Sequence, residues 1–173
     1  APTLPEPPRP TRRIVVVDRR DGLADVFLHV DRLQARLVQR DLRRRPDLVR
    51  VAVDNDADVE ALAQVRKATN ALLSVDLQEN WRLAEKVAPY VDKVRYNPGH
   101  LHHHEKDKPI EDKVAFLVDV AKRHACALRI GINAGSIAPE YDARFPEDHV
   151  SAIVACAVDH CALVDALGFR DYV

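Results

Sequence analysis

The sequence contains no methionine, one tryptophan and only three cysteines among its 173 residues. The cysteines, at positions 126, 156 and 161, are too few and too unevenly spaced for a disulfide scaffold, so we expect a reducing, cytoplasmic location. The formal net charge is only −1, which gives no general attraction to nucleic acid. Neither a long uninterrupted apolar run nor a charged and then apolar leader is visible, so we expect no membrane span and no secretory signal.

The chain has enough apolar residues, 47%, to form the core of one globular domain. Residues 1–10 contain five prolines and predict an extended arm. Residues 11–46 are predicted to form a divergent first β–α unit of uncertain register, with a strand at 14–17 and a helix over 23–45. Residues 47–173 are predicted to form a segment of a barrel.

Short apolar runs alternate with helical patterns through the rest of the chain. Strands are expected at 48–53, 72–77, 93–97 and 127–133, and helices at 56–70, 80–88, after 110 and after 146. This alternation is typical of the α/β class, with parallel strands covered by helices. The glycine-rich turn of a doubly wound nucleotide fold is missing after the first strand. A complete (β/α)₈ barrel needs about 250 residues. We therefore predict a partial (β/α)₈ TIM barrel containing roughly strands 1 to 6.

Three of the predicted strands carry one arginine between apolar neighbours, at Arg50, Arg95 and Arg129. A guanidinium inside a covered sheet is costly unless it meets an anion, and its planar fork suits phosphate oxygens. Three arginines at equivalent places predict a shared anion site at the carboxyl ends of the strands, where barrel enzymes place their sites. The alternative is structural pairing with the acidic residues Asp54, Asp76 and Asp92.

Polar residues follow the same strands. Asn97 precedes Pro98 and Gly99, and Asn133 precedes a turn that contains Gly135 and Ser136. Glycine lets the backbone approach a ligand closely, and asparagine can donate or accept hydrogen bonds. At the end of the strand predicted at 72–77, Asp76 and Gln78 complete a predicted polar rim.

The segments VRVAV (49–53), KVRYNPG (93–99) and LRIGINAGS (128–136) resemble the 4-hydroxy-3-methylbut-2-en-1-yl diphosphate synthase family. The resemblance covers residues 47–173, the middle of that family's barrel domain. It implies a role in isoprenoid biosynthesis, in the reductive ring opening of 2-C-methyl-D-erythritol 2,4-cyclodiphosphate. It also implies substrate binding by Arg50, Arg95, Arg129 and Asn133.

The family resemblance further implies a 4Fe–4S cluster on a separate domain, with three cysteines and a glutamate as ligands, none of them in this chain. It implies flavodoxin or ferredoxin as the electron donor, a homodimer, and no nucleic-acid or membrane partner. We predict no catalytic residue, no metal site and no bound cofactor in this segment. The predicted substrate-binding residues are Arg50, Asp76, Gln78, Arg95, Asn97, Arg129, Asn133 and Ser136.

The sequence departs from the family pattern at several points. Gln78 stands where the family has a histidine, and glutamine cannot donate a proton near neutral pH. The family's Val-Gln-Ser-Met stretch, its later barrel lysine and its cluster domain are not found in the sequence. The 173 residues alone are therefore expected to be an inactive fragment. Two alternatives remain: a non-catalytic truncated barrel that only binds phosphorylated ligands, and a barrel enzyme similar to the pterin-binding synthases.

Three further patterns have an ordinary structural interpretation. The histidine-rich stretch from His100 to Glu105 could hold a metal, but a polar loop over the barrel mouth is the favoured interpretation. The three cysteines and Trp81 are expected to pack in the interior. Arginines recur every four residues at positions 32, 36 and 40, which favours a solvated helix face over a nucleic-acid surface.

Overall fold

The computed structural model describes the backbone of two early strands, Arg13–Val17 and Asp25–His29, and residues 48–173 throughout. The strands are β1 (Arg13–Val17), β2 (Asp25–His29), β3 (Leu48–Val53), β4 (Leu72–Leu77), β5 (Lys93–Tyr96) and β6 (Ala127–Ile130). The helices are α1 (Asp56–Ala68), α2 (Ala84–Val87), α3 (Ile110–His124), α4 (Pro139–Arg144) and α5 (His149–Ala166). Turns of 3₁₀ helix lie at Trp81–Leu83, Ala88–Tyr90, Pro98–His100 and Ala134–Ser136.

The described strands form one sheet in the order β2-β1-β3-β4-β5-β6. Strands β3 to β6 are parallel and follow one another in chain order, as in a (β/α) barrel. Beyond β6, Tyr172 makes a parallel bridge to Leu128, so the next strand position of the sheet begins to form at the end of this sequence. The predicted α/β class and partial barrel are confirmed for this part of the chain.

The early part of the sheet differs from the prediction. Strand β1 is antiparallel to both β2 and β3, with Val15 opposite Arg50. The helix predicted over 23–45 is wrong at Asp25–His29, which is strand β2. The apolar run Val26-Phe27-Leu28 is too short for its spacing to distinguish a helix from a strand. Residues 30–45, the proline-rich arm and the arginines at 32, 36 and 40 lie outside the described residues.

The helices begin and end at recognisable signals. Helix α1 has a complete capping box, in which the Asn55 side chain accepts from the backbone N–H of Asp58 and the Asp58 carboxylate accepts from that of Asn55. Helix α5 is capped by Asp148, whose carboxylate accepts from the backbone N–H of Ser151. The short helix α4, which begins at Pro139, was not predicted from the sequence.

The core lies between the outer face of the sheet and the helices. Burial alternates along β3, where Val49, Val51 and Val53 are buried and the intervening residues are half-buried. Trp81 lies fully within this core with its ring edge-on to Phe116, which confirms the packing role predicted for it. The valines of β3 therefore point toward the helices, and Arg50 points to the opposite face.

Helix α5 is long and apolar enough to cross a membrane on length and composition alone. Core helices of soluble proteins meet the same criteria, so the length and composition of α5 are weak evidence for a membrane span. Its buried residues, Ala152, Cys156, His160 and Val164, recur every four positions and pack toward the rest of the domain. The absence of a membrane partner remains a prediction.

Candidate functional site

Two of the three strand arginines share one row across the sheet. The register places Asp76 of β4 opposite Arg95 of β5, and Arg95 opposite Arg129 of β6. Because side chains alternate along a strand, this row lies on the face opposite the buried valines, which is the interior side of a barrel.

Arg50 lies in a different layer of the sheet. It is opposite Ser74, whereas Asp76 is opposite Ala52. Arg50 is therefore two residues nearer the amino ends of the strands than the row of Asp76, Arg95 and Arg129. The expectation that the three arginines occupy equivalent places is wrong for Arg50, because the sequence gives the position of a strand but not its register with its neighbour.

Arg95 and Asp76 form a buried ion pair. Arg95 Nη1 lies 2.6 Å from Asp76 Oδ1, and the two side chains are only 9% and 11% exposed. Arg95 Nη2 donates to the carbonyl oxygen of Gly131 at 2.8 Å. The structural pairing considered for Asp76 is therefore present, and it balances the charge of Arg95. Asp92 does not share this role, because its carboxylate contacts Arg66.

The loops after β5 and β6 are fastened to each other. Asn97 is almost fully buried, and its Nδ2 donates to Ser136 Oγ at 2.8 Å. Its Oδ1 accepts from the backbone N–H of Gly99 at 3.0 Å. The structure thus brings two of the predicted site residues, Asn97 and Ser136, into direct contact. Asn133 is exposed at the start of the same turn, and Arg129 is exposed on β6.

Gln78 lies at the end of β4 beside a small cavity. Its backbone N–H donates to Val53 O, and its carbonyl oxygen is in hydrogen-bond contact with His100 Nδ1. The cavity has a volume of about 430 Å³ and is lined by Asp54, Gln78, Glu79, Asn80 and His104. Gln78 therefore belongs to the rim of the strand ends, as predicted.

A larger cavity lies between the loops that follow β5 and β6. Its volume is about 770 Å³, within the range that holds small-molecule ligands. Its lining includes His100, His102, His103, Lys106, Ser136 and Glu140. The histidine-rich stretch forms one wall of this cavity and so lies over the strand ends as a polar loop. Within the described part of the chain, no group of three histidine, cysteine or acidic residues is placed to hold a metal ion.

Sequence reasoning missed Lys113, which anchors this loop. Lys113 is fully buried in α3, and its Nζ donates to the carbonyl oxygens of Leu101 at 2.7 Å and His104 at 2.9 Å. Burial lowers the pKa of its ammonium group. A signal was present, because Lys113 lies between Ile110 and Leu117 at the spacing of the apolar face of α3.

The cysteines do not fit an iron–sulfur cluster. Cys126 and Cys156 are buried, and desolvation raises the pKa of the Cys156 thiol to about 11. A cluster needs thiolates, which a raised pKa disfavours. Cys161, five residues after Cys156 on α5, is rotated by about 140° around the helix axis. The packing role predicted for Cys126 and Cys156 is confirmed by their burial, and Cys161 is half-buried.

The sequence is similar to one family over most of its length. The family model described as the GcpE TIM-barrel domain matches residues 32–173. A protein from Rhodopirellula baltica named 4-hydroxy-3-methylbut-2-en-1-yl diphosphate synthase (flavodoxin) is 52% identical over 131 residues, which cover 75% of this chain and 34% of that protein.

Proteins of the same name from two other bacteria are also similar. The one from Nitratiruptor is 36% identical, over 72% of this chain and 33% of its own length. The one from Chromohalobacter salexigens is 33% identical, over 73% of this chain and 32% of its own length. The sequence thus spans about a third of the length of these relatives. The match supports the resemblance to this family over the one to the pterin-binding synthases. With residues 32–173 matched by its model, the chain belongs to the GcpE TIM-barrel domain family.

Proposed function

We propose that this chain forms part of the substrate-binding barrel of a 4-hydroxy-3-methylbut-2-en-1-yl diphosphate synthase. In this proposal, the interior face of β4 to β6 binds 2-C-methyl-D-erythritol 2,4-cyclodiphosphate, whose ring is opened by a two-electron reduction in isoprenoid biosynthesis. The observation that carries it is the row of Asp76, Arg95 and Arg129, which continues onto the loops with Asn133 and Ser136 at the carboxyl ends of parallel strands. Barrel enzymes place their active sites at this end.

The residues of the row have different tasks. Arg129 is exposed on this face and supplies a planar fork for phosphate oxygens. Arg95 is held in place by Asp76 and Gly131, so its guanidinium has a fixed orientation. Its positive charge is already balanced by the Asp76 carboxylate. Arg50 lies one layer deeper, beneath the row. The chain thereby binds and orients the diphosphate and neutralises its charge.

The remaining predicted residues form the rim. Asn133 and Ser136 are placed to hydrogen-bond ligand oxygens at the mouth, and Gln78 is placed to hydrogen-bond a ligand hydroxyl without transferring a proton. Asn97 acts on the ligand only through Ser136, because its own polar atoms are engaged by Ser136 and Gly99. It is therefore a positioning residue.

The electron chemistry is assigned to parts of the longer relatives that this sequence does not cover. The cysteines described above do not fit a 4Fe–4S cluster. The name of these relatives includes flavodoxin, which favours flavodoxin over ferredoxin as the electron donor. The homodimer and the cytoplasmic location remain predictions.

Calorimetric titration with the cyclodiphosphate tests the proposal. Arg129→Ala should weaken binding by about 10- to 100-fold, because a hydrogen bond to a charged group contributes about 1.5–3 kcal/mol. Arg123→Ala is the matched control, since Arg123 is an exposed arginine on α3 that pairs with Glu85 and Asp119. Unchanged binding by Arg129→Ala, or equal weakening by both variants, contradicts the proposal.

A further inference from the structure

The cavity between the β5 and β6 loops has an unusual ionisable lining. The cavity is lined by three imidazoles, those of His100, His102 and His103, and by the ammonium group of Lys106. Its lining contains a single carboxylate, that of Glu140. We propose that this cavity is a second anion subsite, which takes a phosphate group of the ligand when its histidines are protonated. The inference rests on the proposed function, because it places the subsite at the mouth of the same binding face.

The charge of the lining changes with protonation of the histidines. When the histidines are neutral, Lys106 and Glu140 leave the cavity without net charge. Each protonated histidine then adds one positive charge. Protonation of the histidines therefore changes the cavity from uncharged to cationic.

Each of two histidines has one carboxylate partner and one further ring nitrogen. His102 Nε2 lies 3.4 Å from Glu140 Oε1, and His103 Nδ1 lies 3.4 Å from Glu79 Oε1. Each contact is an ion pair only when its ring is protonated. The second nitrogen of a protonated ring is an N–H donor, so the imidazolium can hold its carboxylate and a ligand oxygen at once.

Other charged groups surround these rings. His100 stacks on His103 with 5.1 Å between the ring centroids. His160 of α5 interacts electrostatically with His102. The nearby carboxylate of Glu105 is engaged by Arg82, so it does not neutralise the cavity.

The backbone leaves room for a ligand at this place. A side chain at position 135 would meet no atom within 4 Å, so the turn after β6 opens into the cavity. On the opposite wall, the buried Lys113 fixes the histidine-bearing loop through two carbonyl groups. The subsite is thus formed by one fixed loop and one open turn, as expected of a largely preformed pocket.

Titration of the 173-residue chain with inorganic diphosphate at two pH values tests the subsite. For the wild type, we expect affinity about tenfold or more higher near pH 5.5 than near pH 8. The double variant His102→Gln/His103→Gln should lose about tenfold or more near pH 5.5 and less than about twofold near pH 8. Comparing variants at the same pH removes the effect of protonation of diphosphate itself. His149→Gln is the matched control, because His149 is an exposed histidine outside this cavity.

The outcomes separate this inference from the proposed function. If Arg129→Ala weakens diphosphate binding and the double histidine variant does not, the subsite is wrong and the proposed function stands. If the histidine variant loses the same factor at both pH values, the subsite is equally wrong, because charge is then not the cause. Loss of binding near pH 5.5 alone supports the subsite, whatever the effect of Arg129→Ala.

NMR titration of the wild-type imidazoles gives a second readout that does not depend on the variants. Bound diphosphate near pH 5.5 should shift the ring resonances of His102 and His103 and leave those of His149 in place. Equal behaviour of all three rings overturns the subsite.

Discussion

The Arg95 guanidinium occupies the space that a side chain at residue 131 would need. A Cβ atom on Gly131 would overlap Nε and Cζ of Arg95, and the carbonyl oxygen of Gly131 accepts a hydrogen bond from the same guanidinium. Gly131 therefore fixes the position of the arginine from two directions. The buried pair of Arg95 with Asp76 therefore depends on the glycine that directly follows β6.

Gly131→Ala should destabilise the fold strongly. The new methyl group must displace the Arg95 guanidinium and so disturb its buried pair with Asp76, whose complete loss would cost about 3–5 kcal/mol. Urea unfolding measures the loss. Gly135→Ala is the matched control, because a side chain there meets no atom, and it should change the free energy of unfolding by less than about 0.5 kcal/mol. Equal free energies of unfolding for the two variants would show that Arg95 does not need a glycine at position 131.

The contact between Asn97 and Ser136 should couple the two loops. Asn97→Ala removes the acceptor for Gly99 N–H and the donor to Ser136, both in a buried setting, and should cost about 1–3 kcal/mol. A double-mutant cycle with Ser136→Ala should give a coupling energy of about 0.5 kcal/mol or more. Additive effects in the cycle would mean that the side-chain contact contributes nothing.

Lys113→Met should loosen the histidine-bearing loop. The substitution keeps most of the side-chain volume but leaves the carbonyls of Leu101 and His104 without their donor. The cost is about 1–3 kcal/mol for the buried Leu101 carbonyl and less for the half-buried His104 carbonyl. Limited proteolysis should then cut the chain near residues 101–108 sooner than in the wild type. Lys122→Met is the matched control, because Lys122 also donates to a carbonyl, that of Leu167, but at an exposed position. Equal cleavage in both variants would contradict the anchoring role.

His160 should make the stability of the fold dependent on pH. Burial against Tyr96 lowers the pKa of His160 to about 4, so the folded state binds its proton less well than the unfolded state, in which the pKa is about 6.5. The contribution of His160 is complete above about pH 6.5 and is lost as the pH falls toward about 4. We expect a loss of about 2 kcal/mol near pH 5, measured by urea unfolding.

The His160→Leu variant isolates this effect from the other histidines. It should lose less stability than the wild type between about pH 7.5 and about pH 5, by about 2 kcal/mol. The same pH dependence in both proteins would show that His160 is not the group responsible.

The sequence was sufficient for the parallel part of the sheet and for the position of its strand ends. Apolar runs bounded by polar residues identified β3 to β6, because a strand covered by helices needs apolar residues on its outer face. The motifs around Arg95 and Arg129 located the strand ends. The run that forms β2 was assigned wrongly, since five residues cannot show whether their period is that of a helix or a strand.

Pairing of side chains could not be predicted, because it depends on register. Asp54, Asp76 and Asp92 were equal candidates to neutralise the arginines, and the offset between β4 and β5 alone places Asp76 beside Arg95. The register of β3 with β4, a separate offset, removes Arg50 from the row. Lys113 was overlooked for another reason. A lysine on an apolar helix face can extend its ammonium group to solvent, and only the loop packed over α3 shows that the ammonium group of Lys113 stays inside the protein.

The two hydrogen bonds from Lys113 also limit how the histidine-bearing loop can be altered by design. The histidine-bearing loop and helix α3 are tied together by an ammonium group inside the protein, so they form a single structural unit although they are separate segments of the sequence. A chimera that receives residues 100–108 without Lys113 would carry the histidines without the support that orients them. Transplanting the loop therefore requires grafting the start of α3 with it.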